Sequence, residues 1–252
     1  MRIFFWRFLP ITAPGAYARN PLPPPRVYVV VIVLASLLLW AIGLAPNLRA
    51  QSSAENRDWA FYGGAPEGGH YSPLTQINRS NVKQLQLAWT YDTEETGGLQ
   101  TSPIVVHGIL YGISPTQKIF ALDAATGALR WKFDSGILGT QPDRGLAYWE
   151  NGKDRRIIVG VMNFVYELNA DNGQPIASFG DHGRIDLREN LGRDPATASI
   201  ALTSPAVVYK DLFIVGGRDP ETLPAPPGDI RAYEVVGGKL HWSFQFCFAK
   251  PA

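Results

Sequence analysis

Few of the 252 residues are placed for chemistry, and the residue types most often recruited as ligands or nucleophiles are wrongly spaced. His70, His107, His182 and His241 show neither metal-ligand spacing nor a nucleophile partner; His107 in H-G and His182 in D-H-G read as turn residues. No G-x-S-x-G or H-E-x-x-H occurs, which argues against a serine hydrolase or a zinc protease. Gly63-Gly64 and Gly68-Gly69 lie in no strand–helix pattern and make no dinucleotide fingerprint. Polar side chains beside glycine- and proline-marked turns include Arg144 in D-R-G-L-A-Y-W, Gln100 ahead of T-S-P, Thr203 and Ser204 opening a second T-S-P, and Asp219 and Glu221 in G-G-R-D-P-E; their spacing by itself assigns them no role. A guanidinium offers a planar fork to a carboxylate or carbonyl oxygen. Hydroxyls add donors, and carboxylates add hard oxygens for a divalent cation, which one Glu alone cannot hold. Each has a plainer reading beside it: a loop arginine, a solvated Gln at a strand start, structural strand-edge hydroxyls, and loop carboxylates.

The elements that must position these residues are written as a repeat. Residues 119–131 read I-F-A-L-D-A-A-T-G-A-L-R-W, 165–177 read V-Y-E-L-N-A-D-N-G-Q-P-I-A, and 230–242 read I-R-A-Y-E-V-V-G-G-K-L-H-W. Each is an alternating strand, then Asp123, Asn169 or Glu234, then a turn ending at Gly127, Gly173 or Gly238, then a second strand. The acidic or amide side chain suits capping of the turn amides, and Gly suits the positive φ the turn needs. Trp131 and Trp242 end two copies with a large apolar face and one N–H donor. Ala177 stands in that place in the second copy, and Gly237 replaces Thr in the third, so these units should be less regular. Upstream, Thr101–Val106 with His107-Gly108 and Ile109–Ile113 reads as a strand, a tight turn and a strand, and a T-S-P-x-V-V sequence recurs from Thr203. Arg156–Val161 and Phe164–Leu168 supply the middle unit, and Leu85–Tyr91 alternates as a further strand. Four-stranded units at this period are propeller blades. A β-sandwich would also fit short alternating strands, but not the fixed recurrence of Gly and Trp.

Composition agrees with an all-β chain rich in tight turns: 25 Gly, 20 Pro and 7 Trp. Lys plus Arg is 23 against 22 for Asp plus Glu, so no charge excess points to nucleic acid. Cys247 is alone, which excludes an internal disulfide framework. Val27–Ala45 is an uncharged 19-residue stretch long enough to cross a bilayer as one transmembrane helix. Arg2, Arg7, Arg19 and Arg26 precede it, with no acidic residue before Glu55. The positive-inside rule therefore keeps the N-terminus cytoplasmic and exports the rest. An uncleaved anchor and a signal peptide cut after Leu48-Arg49-Ala50 both fit. The expected organisation is a leader with anchor or signal over 1–50, a linker and irregular segment over 51–84, and a propeller portion over 85–252.

The unit A-x-D-x-x-T-G-x-x-x-W, made by Ala121, Asp123, Thr126, Gly127 and Trp131, resembles the tryptophan-docking motif of quinoprotein dehydrogenases. These are pyrroloquinoline quinone (PQQ) enzymes on eight-bladed propellers. H-Y-S-P-L-T-Q-I-N-R-S-N-V-K-Q-L-Q-L-A-W at 70–89 is similar to the family's N-terminal segment, whose first strand completes the last blade. T-S-P-x-V-V and G-D-I-R-A-Y are most similar to the membrane-linked glucose dehydrogenase branch. The resemblance implies a fold class of about three four-stranded blades of that propeller, preceded by the transmembrane helix. It implies that Arg144 and Gln100 bind PQQ, with Thr203 and Ser204 as hydroxyl donors, and that Glu221 or Asp219 contributes to a Ca²⁺ that polarises it. It further implies an alcohol or sugar substrate, a membrane quinone or cytochrome as electron acceptor, and an inner-membrane location with a periplasmic domain, or a periplasmic one after cleavage. The catalytic base, an Asp in the family, matches no residue here. The tail Q-F-C-F-A-K-P-A reads as a frameshift, a premature stop or a fragment boundary. The 252 residues by themselves are therefore expected to bind PQQ weakly or not at all and not to turn over. A non-enzymatic PQQ-like scaffold of the cell envelope is the alternative, and the D-R-G-L-A-Y-W loop favours the enzyme.

Overall fold

The computed structural model describes residues 2–7 and 58–245. Val27–Ala45, the linker over 51–57 and the tail around Cys247 lie outside these. Among the described residues no helix is long and apolar enough to cross a membrane. Their regular structure is β-strand, with single 3₁₀ turns at Val82–Gln84 and Pro195–Thr197.

Three four-stranded antiparallel sheets follow one another along the chain, as the repeat requires. The first is β3 (Ile104–Val106), β4 (Ile109–Ile113), β5 (Ile119–Asp123) and β6 (Leu129–Phe133). The second is β7 (Ala147–Asn151), β8 (Asp154–Val161), β9 (Phe164–Asn169) and β10 (Arg184–Asp186). The third is β11 (Val207–Tyr209), β12 (Leu212–Val215), β13 (Ile230–Glu234) and β14 (Leu240–Phe244). Each is a meander in strand order. Register repeats with the sequence: Ala121 faces Trp131 and Ala232 faces Trp242, each beside an irregularity one residue on.

The three turns share one hydrogen-bond plan. Gly127, Gly173 and Gly238 donate their N–H to the carbonyls of Asp123, Asn169 and Glu234 at 2.8, 2.8 and 3.0 Å. Their φ angles are 73°, 72° and 73°, in the left-handed region that glycine enters without penalty. Asp123 Oδ1 caps Ala125 N at 3.2 Å and Thr126 N at 3.1 Å, and Asn169 Oδ1 caps Asp171 N at 2.9 Å and Asn172 N at 3.2 Å.

The core lies between successive sheets. One cluster joins Ile104, Ile113 and Ile119 of the first sheet to Ile157, Val161 and Leu168 of the second. Another joins Ile158 and Val165 of the second to Phe213, Val215 and Tyr233 of the third. Tryptophans fasten these faces. Trp89 lies on β2 (Gln86–Asp92) and donates Nε1 to Ala124 O at 3.2 Å, its ring filling the space a side chain at Gly127 would need. Trp131 repeats this on the second sheet, donating to Ala170 O at 2.9 Å with its ring on Gly173.

The third fastening departs from this plan, because Ala177 stands where a tryptophan would reach across. The second strand expected directly after Gly173 reduces to a bridge of Leu168 with Pro175, and the outer strand is the later, three-residue β10. Phe179 and Ile185 pack on Gly238 in place of an indole. The alternating stretch Leu85–Tyr91 falls on β2, and β1 (Arg2–Arg7) pairs along it, antiparallel.

Because strands alternate in direction, the connections separate into two sets. Segments 93–103, 114–118, 134–146, 162–163, 187–206 and 216–229 emerge at one end of the sheets, and the Gly turns lie at the other.

Candidate functional site

Every candidate residue lies in the first set of connections. That follows from topology: Gln100 precedes β3, Arg144 precedes β7, Thr203 and Ser204 precede β11, and Asp219 and Glu221 link β12 to β13. Two further side chains fix these connections to one another. Gln117, buried in the β4–β5 turn, donates Nε2 to Gln141 O at 2.9 Å and accepts from Met162 N at 2.9 Å. Glu95 Oε2 accepts from Thr116 N at 3.0 Å and Thr116 Oγ1 at 2.7 Å, which anchors the segment carrying Gln100.

Arg144 is held by main chain on both sides. Its N–H donates to Thr203 O at 3.1 Å, and its carbonyl accepts from Ser102 N at 2.9 Å. A three-residue ladder thus crosses the tops of all three sheets. Gly145 has to be small here, since a Cβ would come within 3.3 Å of Ser102 O. The guanidinium turns back on the same neighbour, with Nη1 donating to Thr203 O at 3.2 Å and Thr203 Oγ1 at 3.5 Å. Among the described residues those are its only side-chain hydrogen bonds, and Arg144 is exposed. Most of the fork therefore faces solvent with donors to spare.

The structure brings the sequence-predicted Arg144 and Thr203 together, and beside them lies a residue that the sequence reading missed. Asp143 is 6% exposed. Its Oδ1 accepts from Gly145 N at 3.0 Å, closing a turn around Arg144, while Oδ2 has no hydrogen-bond partner among the described residues. Burial pushes this carboxyl up to about 7, against the pull of that amide and of the Arg144 charge. Its place next to R-G was the available signal. Thr203 is buried, whereas Ser204 and Gln100 are exposed beside the ladder.

Asp219 and Glu221 part company. Glu221 is exposed; Asp219 Oδ1 is buried without a partner among the described residues. Burial raises the Asp219 carboxyl, opposed by Arg231, and the charge of Asp229 raises it further. Asp229, also missed from sequence, is 4% exposed with Oδ1 unpartnered among the described residues. These orphaned oxygens are hard donors suited to a cation, but two carboxylates are too few for the six to eight oxygens of Ca²⁺. Among the described residues no group of three or more His, Cys, Asp or Glu could hold a metal. A complete metal site is not formed by these residues.

An apolar cavity of about 240 Å³ adjoins the ladder, lined by Phe61, Tyr62, Leu146, Tyr148, Pro205 and Val207 among others. It falls below the usual ligand-pocket range of about 300–1,000 Å³. No charged side chain lines it. It is no home for a polyanion, and the exposed face of Arg144 is the better candidate surface.

Comparison with known proteins agrees with this fold. Residues 59–252 match the model for the β-propeller domain of PQQ-dependent glucose, ethanol and alcohol dehydrogenases. The quinoprotein glucose dehydrogenase of Escherichia coli K12 is 29% identical over 280 aligned positions, covering 96% of this chain and 34% of that protein. The dehydrogenase subunit of the quinone alcohol dehydrogenase of Gluconobacter oxydans is 33% identical, covering 74% of this chain and 24% of that protein. Among solved structures, the quinohemoprotein alcohol dehydrogenase of Comamonas testosteroni superposes with a TM-score of 0.64 at 28% identity, over 78% of this chain and 28% of that one. The chain thus spans about a third or less of the length of these relatives. With a match over three sheets and the loops that top them, the chain belongs to the PQQ-dependent dehydrogenase β-propeller family.

Proposed function

We propose that this chain is the N-terminal propeller portion of a PQQ-dependent dehydrogenase that oxidises the CH–OH group of an alcohol or sugar. The observation that carries this reading is the exposed Arg144 fork, pinned by Ser102 and Thr203 where the loops of three sheets converge. PQQ is a flat tricyclic quinone with three carboxylates, and when bound it supplies the two-electron acceptor for the substrate. The part played by these residues is binding and orientation. Arg144 offers a bidentate partner to a carboxylate or quinone oxygen. Thr203 holds that fork, and Gln100 and Ser204 present polar ends beside it.

No step is assigned to a metal here. Ca²⁺ would meet Asp219, and through it Asp229, only with oxygens supplied from outside the described residues. No residue of this chain is assigned as catalytic base. The reading also places the chain at the inner membrane with its propeller in the periplasm, and passes electrons to a membrane quinone or cytochrome. The glucose- and alcohol-oxidising relatives and the apolar Val27–Ala45 stretch support this.

The test is a fluorescence titration of the purified chain with PQQ, with and without Ca²⁺, alongside Arg144→Ala. Weak, saturable binding that is reduced tenfold or more in Arg144→Ala is expected, and no dye reduction with glucose or ethanol. Binding that is indifferent to Arg144 would sink the site; turnover by the chain alone would overturn its reading as a binding portion.

A further inference from the structure

The Asp143 carboxyl has an unusual environment. It is nine-tenths buried, one oxygen closes the turn that presents Arg144, and the other has no partner among the described residues. A buried carboxylate oxygen without a donor is costly, so the wall that holds it favours the neutral acid. Arg144, the next residue, is the charged neighbour whose field acts on it and favours the ionised form. The two side chains therefore share one local electrostatic balance, and Arg144 is the half that reaches solvent.

We infer that Asp143 is a positioning residue that couples anion binding at Arg144 to the uptake of a proton. An anion seated on the guanidinium cancels the positive field that Asp143 feels and adds a negative one. Both changes favour the protonated carboxyl. By reciprocity, protonated Asp143 must then favour the anion by the same factor. The proton comes from solvent and stays on Asp143, with no bond made or broken elsewhere. The sign is fixed: affinity for a polyanion falls as pH rises through the range in which Asp143 ionises, near neutrality. The turn and the electrostatic switch are separable, because Asn at this position keeps the Oδ1 acceptor and abolishes the titration.

This inference rests on Arg144 being the anion site, and the experiment separates the two. PQQ affinity is measured from pH 6 to pH 8.5 for the wild-type chain, Asp143→Asn and Arg144→Ala. The wild-type affinity should fall roughly three- to tenfold over that range, about tenfold corresponding to one pK unit of coupling. Asp143→Asn should bind at every pH with a much flatter profile. Equal pH slopes in the wild type and Asp143→Asn would overturn the inference while leaving the site intact. Absence of binding in the wild type, or binding unchanged in Arg144→Ala, would instead remove the site on which it rests. A carboxyl-carbon NMR titration of Asp143 without ligand gives a second readout: a midpoint near 4 would contradict the inference even if all variants bind.

Discussion

Arg156 Nη1 donates to the carbonyl oxygen of Val235 at 3.0 Å, across the gap between the second and third sheets. Val235 follows Glu234 as Ala124 follows Asp123 and Ala170 follows Asn169, and those two carbonyls are the acceptors of Trp89 and Trp131. A guanidinium from β8 has thus taken over the donor role of an indole. The exchange brings a buried charge with it. Arg156 also donates to Glu167 Oε2 at 2.7 Å and to Asp154 Oδ2 at 2.6 Å, and it lies 5.5 Å from the centre of the Trp149 ring.

Arg156→Met should therefore be among the most damaging substitutions in the second sheet. It leaves Val235 O without this donor and Glu167, whose side chain is fully buried, without its cation. Breaking one half of a buried pair costs about 3–5 kcal/mol. The double variant Arg156→Met with Glu167→Met should regain part of that, because no buried charge is left alone. Urea unfolding of the wild type, Arg156→Met, Glu167→Met and the double variant measures it. A single-variant loss below about 1 kcal/mol would mean that the pair contributes little.

The two indoles of the repeat should respond differently to the same change. Trp131→Phe keeps most of the ring on Gly173 and removes the donor to Ala170 O. That carbonyl still accepts from Tyr111 Oη at 3.3 Å, so a loss of about 1 kcal/mol is expected. Trp242 occupies the same register position but is 39% exposed, and among the described residues its Nε1 has no acceptor. Trp242→Phe should change stability by less than about 0.5 kcal/mol. Thermal unfolding of both variants decides; equal losses would refute the docking role of Trp131.

The repeat made the sheets legible because local chemistry and tertiary contact coincide in it: the Gly that closes each turn is also the floor on which the neighbouring side chain rests. Where they separate, legibility fails. Nothing at Ala177 says that Phe179 and Ile185 will cover Gly238, or that an arginine 21 positions upstream will supply the missing donor. The same holds for the site. Arg144 and Thr203 stood out from their motifs, and their meeting follows from which loops share an end of the sheets. Asp143 shares the Arg144 motif, but its burial and unpartnered oxygen, like those of Asp229, are not displayed by a sequence.

Glycine positions offer a direct test of that coincidence. Gly152 has φ 62° with open space around it, so Gly152→Ala should cost only the left-handed backbone penalty of about 1–2 kcal/mol. Gly173 has φ 72°, and an added Cβ would drive into the Trp131 ring. Gly173→Ala should therefore lose clearly more, and Trp131 fluorescence should shift with it. If both alanines cost the same, the ring does not rest on the turn.

The buried carboxyl of Asp143 also sets a pH dependence for stability. In the unfolded chain it ionises near its ordinary value of 3.8, and in the folded chain near 7. Between those values the folded state binds more protons than the unfolded one. Stability from this group is therefore greatest below about 4 and is lost as pH rises toward 7, with no further loss above. Asp143→Asn removes the titration and keeps the Oδ1 acceptor for Gly145 N. It also buries an amide nitrogen in place of Oδ2, which adds a constant offset at all pH values. The slope, and not the offset, carries the ionisation. The free-energy difference between Asp143→Asn and the wild type should shift in favour of the variant by at least about 1 kcal/mol from pH 5 to pH 8. Denaturant melts at both values measure it. Parallel curves would show that Asp143 is already ionised in the folded protein at pH 5, and that its second oxygen has a partner.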